Sequence, residues 1–525
     1  MPTGIPASPG SSLFRALAAA LLLFAASGCV GVPDAGSFSK PDSHALTDTG
    51  DTRLARAISA AHGDELPQSG FVPLGDGMAA FVARMALIAT AERSLDVQYY
   101  IWHGDTSGIL LVDQLLKAAD RGVRVRLLLD DLDTAGKDAF LAQLDAHPNV
   151  EVRLYNPFGY RGVRALGFLG DLKRLNHRMH NKSLTADNQA TIVGGRNIGN
   201  EYFNAVAHIT FADLDVLGIG PVVGKVSGMF DLYWNSDMVV PVSGFVGEGD
   251  ITREGLRAAR AGFDRRVDEQ LASDYVRAVR ESPVLNKLRF VELPVYWGDA
   301  TLIYDDPEKV YHQKISEDTH LIPKLAPLLN DAGREVLVVS PYFVPGDKMV
   351  DFFASLVARG VRVRILTNSL AANDVGLVHA GYMRYREDLI GAGVELYEFK
   401  PSPSQVVRNK SWTGSSAASL HAKTMGADGE RLFVGSFNLD PRSVALNTEM
   451  GVLIDNPTLA RQLSRSFEQA VGEQAYQVVL EGGELRWIDT NPEGGPREYD
   501  IEPQTTWWQR FAAGALSLVV PERLL

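Results

Sequence analysis

The sequence predicts an α/β protein built as two duplicated domains that meet across a pseudo-twofold axis, where equivalent loops can build one site. Three observations carry this. Arg121-Gly122-Val123-Arg124-Val125-Arg126 recurs letter for letter as Arg359-Gly360-Val361-Arg362-Val363-Arg364. Each copy follows an alternating, β-rich run, Ser94 to Tyr100 in the first case and Val336 to Tyr342 in the second. A helix-patterned segment, 108–120 or 348–359, lies between run and copy. Strand, helix, strand is the order that joins parallel neighbours in a βαβ unit.

The 525 residues are 46% hydrophobic and 22% charged, which is enough apolar material for two large cores. That composition excludes a disordered, collagen-like or multi-span membrane chain. Acidic residues outnumber basic ones 64 to 51, for a net charge of −13. A protein whose main partner is nucleic acid carries the opposite balance, so no nucleic-acid partner is expected. The single cysteine, Cys29, excludes an intramolecular disulfide and a Cys/His zinc cluster.

In chain order, residues 1–28 read as an export signal. Arg15 is their only charge, and it precedes an apolar run over 16–26. The run has the length of a signal-peptide core and falls short of the ~20 residues a membrane span needs. Ala26-Ser27-Gly28-Cys29 resembles a bacterial lipoprotein box, although Leu is commoner at the place of Ala26. The resemblance implies a lipidated Cys29, a cell-envelope location and membrane attachment. Residues 29–66, rich in Ser, Asp, Gly and Ala without apolar periodicity, read as a tether. Domain 1 covers 67–245 and domain 2 covers 290–475. Between them, 246–289 reads as a solvated helical linker, with Arg253, Arg257 and Arg260 on one side and Leu256 and Phe263 on another. In the tail, 476–525, Trp507-Trp508-Gln509-Arg510-Phe511 leads into a short apolar run. It suits an interfacial segment or a helix docked on a domain core equally well.

Both domains carry the same polar constellation. His180, Lys182 and Asp187 are followed by Gly194-Gly195 and Asn197; His421, Lys423 and Asp428 are followed by Gly435-Ser436 and Asn438, at identical spacing. Side chains at i and i+2 of a strand share a face, so each His lies beside its Lys. The chain holds 11 histidines in all, and two of them in matching patterns at matching repeat positions are not an accident.

This pattern resembles the phospholipase D superfamily, whose signature is H-x-K-x₄-D with a following G-[GS]-x-N. Within that superfamily, Gly194 to Tyr202 and Phe230 to Asn235 resemble the bacterial cardiolipin synthases, their C-type branch in particular. The resemblance implies two α/β domains, each a mixed sheet flanked by helices, with one shared active site. It implies His180, Lys182, Asp187, His421, Lys423 and Asp428 as the motif residues of that site. His180 would be the nucleophile and His421 the acid/base, a symmetry the sequence alone does not break. Asp187 and Asp428 read as buried and structural members of the set.

Cleaving a phosphodiester requires offsetting the negative oxygens around phosphorus. Metal ions often do so, but the sequence shows no ligand cluster, and no metal or cofactor is expected. Lys182 and Lys423 can serve as fixed donors, with Asn197 and Asn438 adding neutral hydrogen bonds. Asp213 and Glu449 are the candidates for orienting the imidazoles. The basic stretch of Arg161, Arg164, Lys173, Arg174, Arg178 and Lys182 just before His180 suggests steering of an anionic headgroup.

The reading is a metal-independent phosphatidyltransferase that forms cardiolipin through a phosphatidyl-histidine. Phosphatidylglycerol is the acceptor, and phosphatidylglycerol or phosphatidylethanolamine the donor. The alternatives are a phospholipase D releasing phosphatidic acid and a non-catalytic lipid-binding envelope lipoprotein. The expected partners are phospholipids and a membrane surface, with the active site in the periplasm and the inner membrane favoured over the outer; the sequence names no activating protein partner.

Overall fold

The computed structural model describes residues 40–162, 164–205, 212–245, 252–281, 294–311, 314–373, 375–401, 420–490 and 495–519. The export signal, Cys29 and the start of the tether lie outside these residues.

The first half is a mixed sheet of β1 (Ser69–Leu74), β2 (Ser94–Tyr99), β3 (Arg124–Asp130), β4 (Val150–Tyr155), β5 (Ser183–Ala186), β6 (Ala190–Gly194), β7 (Asp215–Ile219) and β8 (Val239–Pro241). Its order is β8-β4-β3-β2-β5-β6-β7-β1; β2, β3 and β4 are parallel and the other pairings antiparallel. The second half repeats it with β9 (Tyr296–Tyr304), β10 (Glu335–Val339), β11 (Arg362–Asn368), β12 (Glu395–Phe399), β13 (Thr424–Ala427), β14 (Arg431–Gly435), β15 (Met450–Asp455) and β16 (Ala475–Glu481). Here the order is β16-β12-β11-β10-β13-β14-β15-β9, so β9 takes the place of β1. The expected βαβ units are present, with helices Thr106–Asp120 and Gly346–Ala358 as their crossovers.

The halves join where β1 and β9 pair antiparallel, Gly70 opposite Trp297 and Phe71 opposite Tyr296. Behind this seam one apolar core spans both repeats, taking Val193 and Val216 from the first and Val434, Met450 and Val452 from the second. Burying such side chains away from water is the main favourable term in holding two domains together.

Three stretches differ from the sequence expectation. From residue 40 onward the chain is no free tether. Helix Arg53–His62 buries Leu54 and Ile58, and the segment ahead of it is strapped to the first half. Arg153 Nη2 donates to the Pro41 carbonyl at 2.8 Å, Arg126 Nη1 to that of Ser43 at 2.7 Å, and the Ser43 amide to Asn235 Oδ1 at 3.0 Å. In the linker, helices Arg253–Leu271 and Asp274–Glu281 are not wholly solvated: Phe263, Val267 and Val276 are buried in the first-half core. The second half also runs past 475, because β16 pairs with β12 and carries β17 (Glu484–Asp489) and β18 (Arg497–Tyr499) beyond it.

Helix Trp507–Val519 closes the described chain. Trp507, Trp508, Phe511 and Leu518 are exposed, with Trp507 stacked on Phe511 at 5.2 Å. Among the described residues no helix is long and apolar enough to cross a membrane.

Candidate active site

His180 and His421 each precede a central strand of their sheet, β5 and β13, and each is stitched to the opposite repeat. The His180 amide donates to the Thr448 carbonyl at 2.8 Å, and the Thr448 amide returns a bond to Arg178 at 2.9 Å. The His421 and Ala422 amides both donate to the Ala212 carbonyl at 2.9 Å. Thr448 and Ala212 each precede a carboxylate, so these backbone bridges deliver that carboxylate to the facing imidazole. Glu449 Oε2 lies 2.8 Å from His180 Nδ1, and Asp213 Oδ2 lies 2.6 Å from His421 Nδ1. The orienting pairs are therefore crossed: each repeat supplies the carboxylate for the other repeat's histidine.

The two carboxylates are held by different means. Glu449 accepts from Ser436 Oγ at 2.5 Å and Ser443 Oγ at 2.8 Å, and its amide donates to Asp305 Oδ2 at 2.8 Å. Asp213 has the shorter arm, and the chain beside it must make room. A Cβ on Gly195 would sit 2.3 Å from Asp213 Oδ1, far inside van der Waals contact. This accounts for Gly at 195 where the second motif has Ser436.

All four groups are buried. Burial pushes His180 down to about 4 against the pull of Glu449, with Lys182 adding to the depression. Burial and then Lys423 push His421 down to about 3, against Asp213. Against their own burial, Glu449 and Asp213 are held below the usual carboxylate range by the histidines and lysines they face. Burial thus favours the neutral form of both imidazoles, and a carboxylate beside each Nδ1 favours the Nδ1–H tautomer, which leaves Nε2 as the basic atom. Burial also drives Lys182 well below its ordinary value. Lys423 Nζ lies 3.2 Å from His421 Nε2, and Lys182 Nζ lies 5.4 Å from the centre of the Tyr100 ring.

The motif aspartates stand elsewhere. Asp187 and Asp428 both adopt positive φ, 51° and 58°, at the tips of the β5–β6 and β13–β14 hairpins. Asp187 accepts the amides of Glu92, Arg93 and Ser94, and Asp428 those of Gly333, Arg334 and Glu335. Both carboxylates fix the entry into a parallel strand, so they belong with the scaffold and not with the reacting groups.

Asn197 is committed too, its oxygen accepting from the Ile101 amide at 3.2 Å and its amide donating to Tyr202 Oη at 3.1 Å. Asn438 differs: its carboxamide oxygen is buried with no hydrogen-bond partner among the described residues. The basic stretch before His180 is not a free patch. Arg161 pairs with Asp131 and Asp138, Arg164 with Asp131, Arg174 with Asp171, and Arg178 with Asp130 at 3.3 Å.

Sequence reasoning overlooked two aromatic walls. Tyr100 meets His180 edge-on at 5.0 Å, and Tyr202 meets His421 at 5.2 Å. Both ended runs already singled out for the repeat and for the family resemblance, which was the available signal. It also missed a His/carboxylate group, His103, Asp105 and Glu201. Its members are engaged with one another and with backbone, Glu201 lying 3.1 Å from His103 Nδ1 and Asp105 accepting the Asn200 and Gly108 amides.

Comparison with known proteins gives a consistent result. A family model described as "Cardiolipin synthase, PLD-like domain" matches residues 85–218 and 325–471. The chain is 44% identical over 479 residues to cardiolipin synthase C of Escherichia coli K12, covering 90% of this chain and all of that one. An uncharacterized protein of Helicobacter pylori is 34% identical over 87% of this chain and 89% of its own. Among solved structures, phosphatidylserine synthase of Haemophilus influenzae superposes with a TM-score of 0.55 at 15% identity, over 90% of this chain and all of that one. At that identity the likeness speaks for the fold.

Proposed function

The chain belongs to the phospholipase D-like cardiolipin synthase family, and from that premise we propose that it makes cardiolipin through a phosphatidyl group carried on His180. It is a phospholipid phosphatidyltransferase that works at a membrane. The observation that carries the mechanism is the crossed pair of imidazoles, each with Nδ1 tied to a carboxylate of the opposite repeat.

In the first step His180 Nε2 attacks the phosphorus of the donor lipid. Its Nδ1–H stays on Glu449, which offsets the positive charge that develops on the ring as the N–P bond forms. The bond to the leaving headgroup oxygen breaks, and His421 supplies the proton that oxygen takes up. Binding of the anionic diester beside His421 favours its protonated form, opposing the downward push of burial and Lys423. Lys182 and Lys423 face the non-bridging oxygens, and the diester's charge favours the ammonium form of Lys182 against its burial. In this reading Asn438 adds a neutral hydrogen bond to the same oxygens from its Nδ2–H, its carboxamide oxygen being an acceptor only.

In the second step His421 takes the proton from the free glycerol hydroxyl of phosphatidylglycerol. That oxygen attacks phosphorus, the N–P bond breaks, and His180 leaves as a neutral imidazole. The donor is phosphatidylglycerol, releasing glycerol, or phosphatidylethanolamine, releasing ethanolamine.

The attachment we propose has two parts. Residues 1–28 act as an export signal ending at a lipidated Cys29, which puts the site in the periplasm at the inner membrane. The exposed Trp507, Trp508, Phe511 and Leu518 rest among lipid headgroups, where amphipathic aromatic rings are favoured.

The test is a lipid profile of a cardiolipin-null bacterium expressing the full chain beside a His180→Ala control. Cardiolipin formed only with the intact histidine supports the reading. Phosphatidic acid rising without cardiolipin assigns water as the acceptor and overturns it.

A further inference from the structure

Beneath Tyr100 lies a chamber of about 270 Å³. Its walls are Leu127 and Leu129 of β3, Ile109 and Val112 of helix Thr106–Asp120, Phe140 of helix Asp138–Asp145, and Phe263 of helix Arg253–Leu271. The chamber opens to solvent at its polar rim and narrows onto an apolar floor, the form of a site that a ligand can enter from outside.

The lining decides its chemistry. The polar groups at the rim are already paired: Lys137 Nζ donates to the Trp102 carbonyl at 2.8 Å and to Asp133 at 2.7 Å, and Trp102 Nε1 donates to the Gly108 carbonyl at 3.2 Å. A polar guest finds little to replace its water, whereas an apolar guest gains by leaving water.

Position decides the rest. The chamber lies at the carboxyl ends of β2 and β3, where α/β sheets hold their ligands. Tyr100 is a wall common to both spaces, lining the chamber while its ring meets His180 at 5.0 Å. A group bound to His180 Nε2 therefore has an apolar pocket on the far side of the Tyr100 ring. A second, shallower groove of about 200 Å³ on the surface shares Phe140, Leu144 and Phe263 with the first, and the Phe140–Phe263 contact at 5.7 Å forms the partition. The roof comes from the segment between the repeats, so duplication alone does not produce it.

Resting on the reading of His180 as the carrier of the phosphatidyl group, we propose that this chamber receives an acyl chain of the donor lipid, with Phe140 and Phe263 as the partition that sets how much chain it holds.

The full chain is assayed with dihexanoyl and dioleoyl phosphatidylglycerol as wild type, Val112→Phe and Phe263→Ala. Filling the chamber by Val112→Phe should lower the dioleoyl-to-dihexanoyl ratio of kcat/KM by ~10-fold or more, the scale of one misfitted methylene in an apolar pocket. Phe263→Ala, which joins the chamber to the groove, should raise it. A ratio unmoved in both variants overturns the proposal.

A second measurement needs neither variant folding nor turnover. Phosphatidylglycerol with a mid-chain diazirine is irradiated with the wild-type protein, and the labelled peptides are mapped. Label within 106–120 or 138–145 supports the chamber even if no cardiolipin forms, in which case only the reaction reading falls. Label confined to other segments while cardiolipin does form overturns the chamber and leaves the reaction standing.

Discussion

Asp213 lies 2.6 Å from Nδ1 of His421 although the two residues come from different repeats. Glu449 stands in the reciprocal relation to His180, at 2.8 Å. Neither repeat alone holds a histidine with its tautomer fixed. The duplication is thus more than two copies of one motif, since each copy completes the other.

Removing the acceptor while keeping the shape tests this crossing. Asp213→Asn and Glu449→Gln should each lower kcat by roughly 10²–10⁴-fold, the cost of an imidazole no longer held in the productive tautomer. Each should leave the far-UV circular dichroism spectrum unchanged. Wild-type turnover in either variant would show that the carboxylates do not orient the rings.

The Gly195/Ser436 difference gives an ordered prediction. Gly195→Ser puts a side chain where Asp213 Oδ1 stands, so it should displace the carboxylate and remove most activity. Ser436→Ala deletes one of the hydroxyl bonds to Glu449, while Ser443 and His180 remain. Its cost should be about 1.5–3 kcal/mol at most, the worth of a hydrogen bond to a charged group. Purified variants assayed side by side would contradict the account if Ser436→Ala were the more damaging.

Asp187→Ala and Asp428→Ala should act on stability and leave turnover per folded molecule in place. Each strips the acceptor from three backbone amides. Asp187 is buried and Asp428 only partly so, hence the larger fall in Tm belongs to Asp187→Ala. Thermal melts paired with active-site titration separate the two effects.

The depressed histidines make stability depend on pH. Their folded values are about 4 and about 3 against an ordinary 6.5, so as pH falls below 6.5 the unfolded chain takes up protons first. Their contribution is full above pH 6.5 and is lost as pH falls through about 4 and 3. Tm should therefore decline from pH 6.5 toward pH 4, and His180→Gln should decline less steeply. Equal slopes would mean His180 is not held neutral.

Much of this was legible in the sequence, for a physical reason. The repeated Arg-Gly-Val-Arg-Val-Arg run and the alternating strands report local periodicity, and the His-Lys pairs report strand geometry. The crossing of Asp213 and Glu449 was not legible, because it depends on backbone bridges at Ala212 and Thr448 between chain segments some two hundred residues or more apart. Arg161, Arg164 and Arg178 looked like a free basic patch because their partners, Asp130, Asp131 and Asp138, lie well upstream. The strapping of residues 40–52 left no trace in hydropathy, since Arg126 and Arg153 hold it by polar bonds to the Ser43 and Pro41 carbonyls and no apolar stripe is needed. Asp187 and Asp428 share the motif with the reactive groups, but conformation and hydrogen bonding, not spacing, mark them as hairpin residues.

The most direct test of the central claim is rapid acid quench of the wild-type protein during turnover of phosphatidylglycerol, followed by mass spectrometry of its peptides. The account predicts a phosphatidyl adduct on the peptide bearing His180, absent from His180→Ala. An adduct on His421 instead, or cardiolipin formed steadily by His180→Ala, would contradict it.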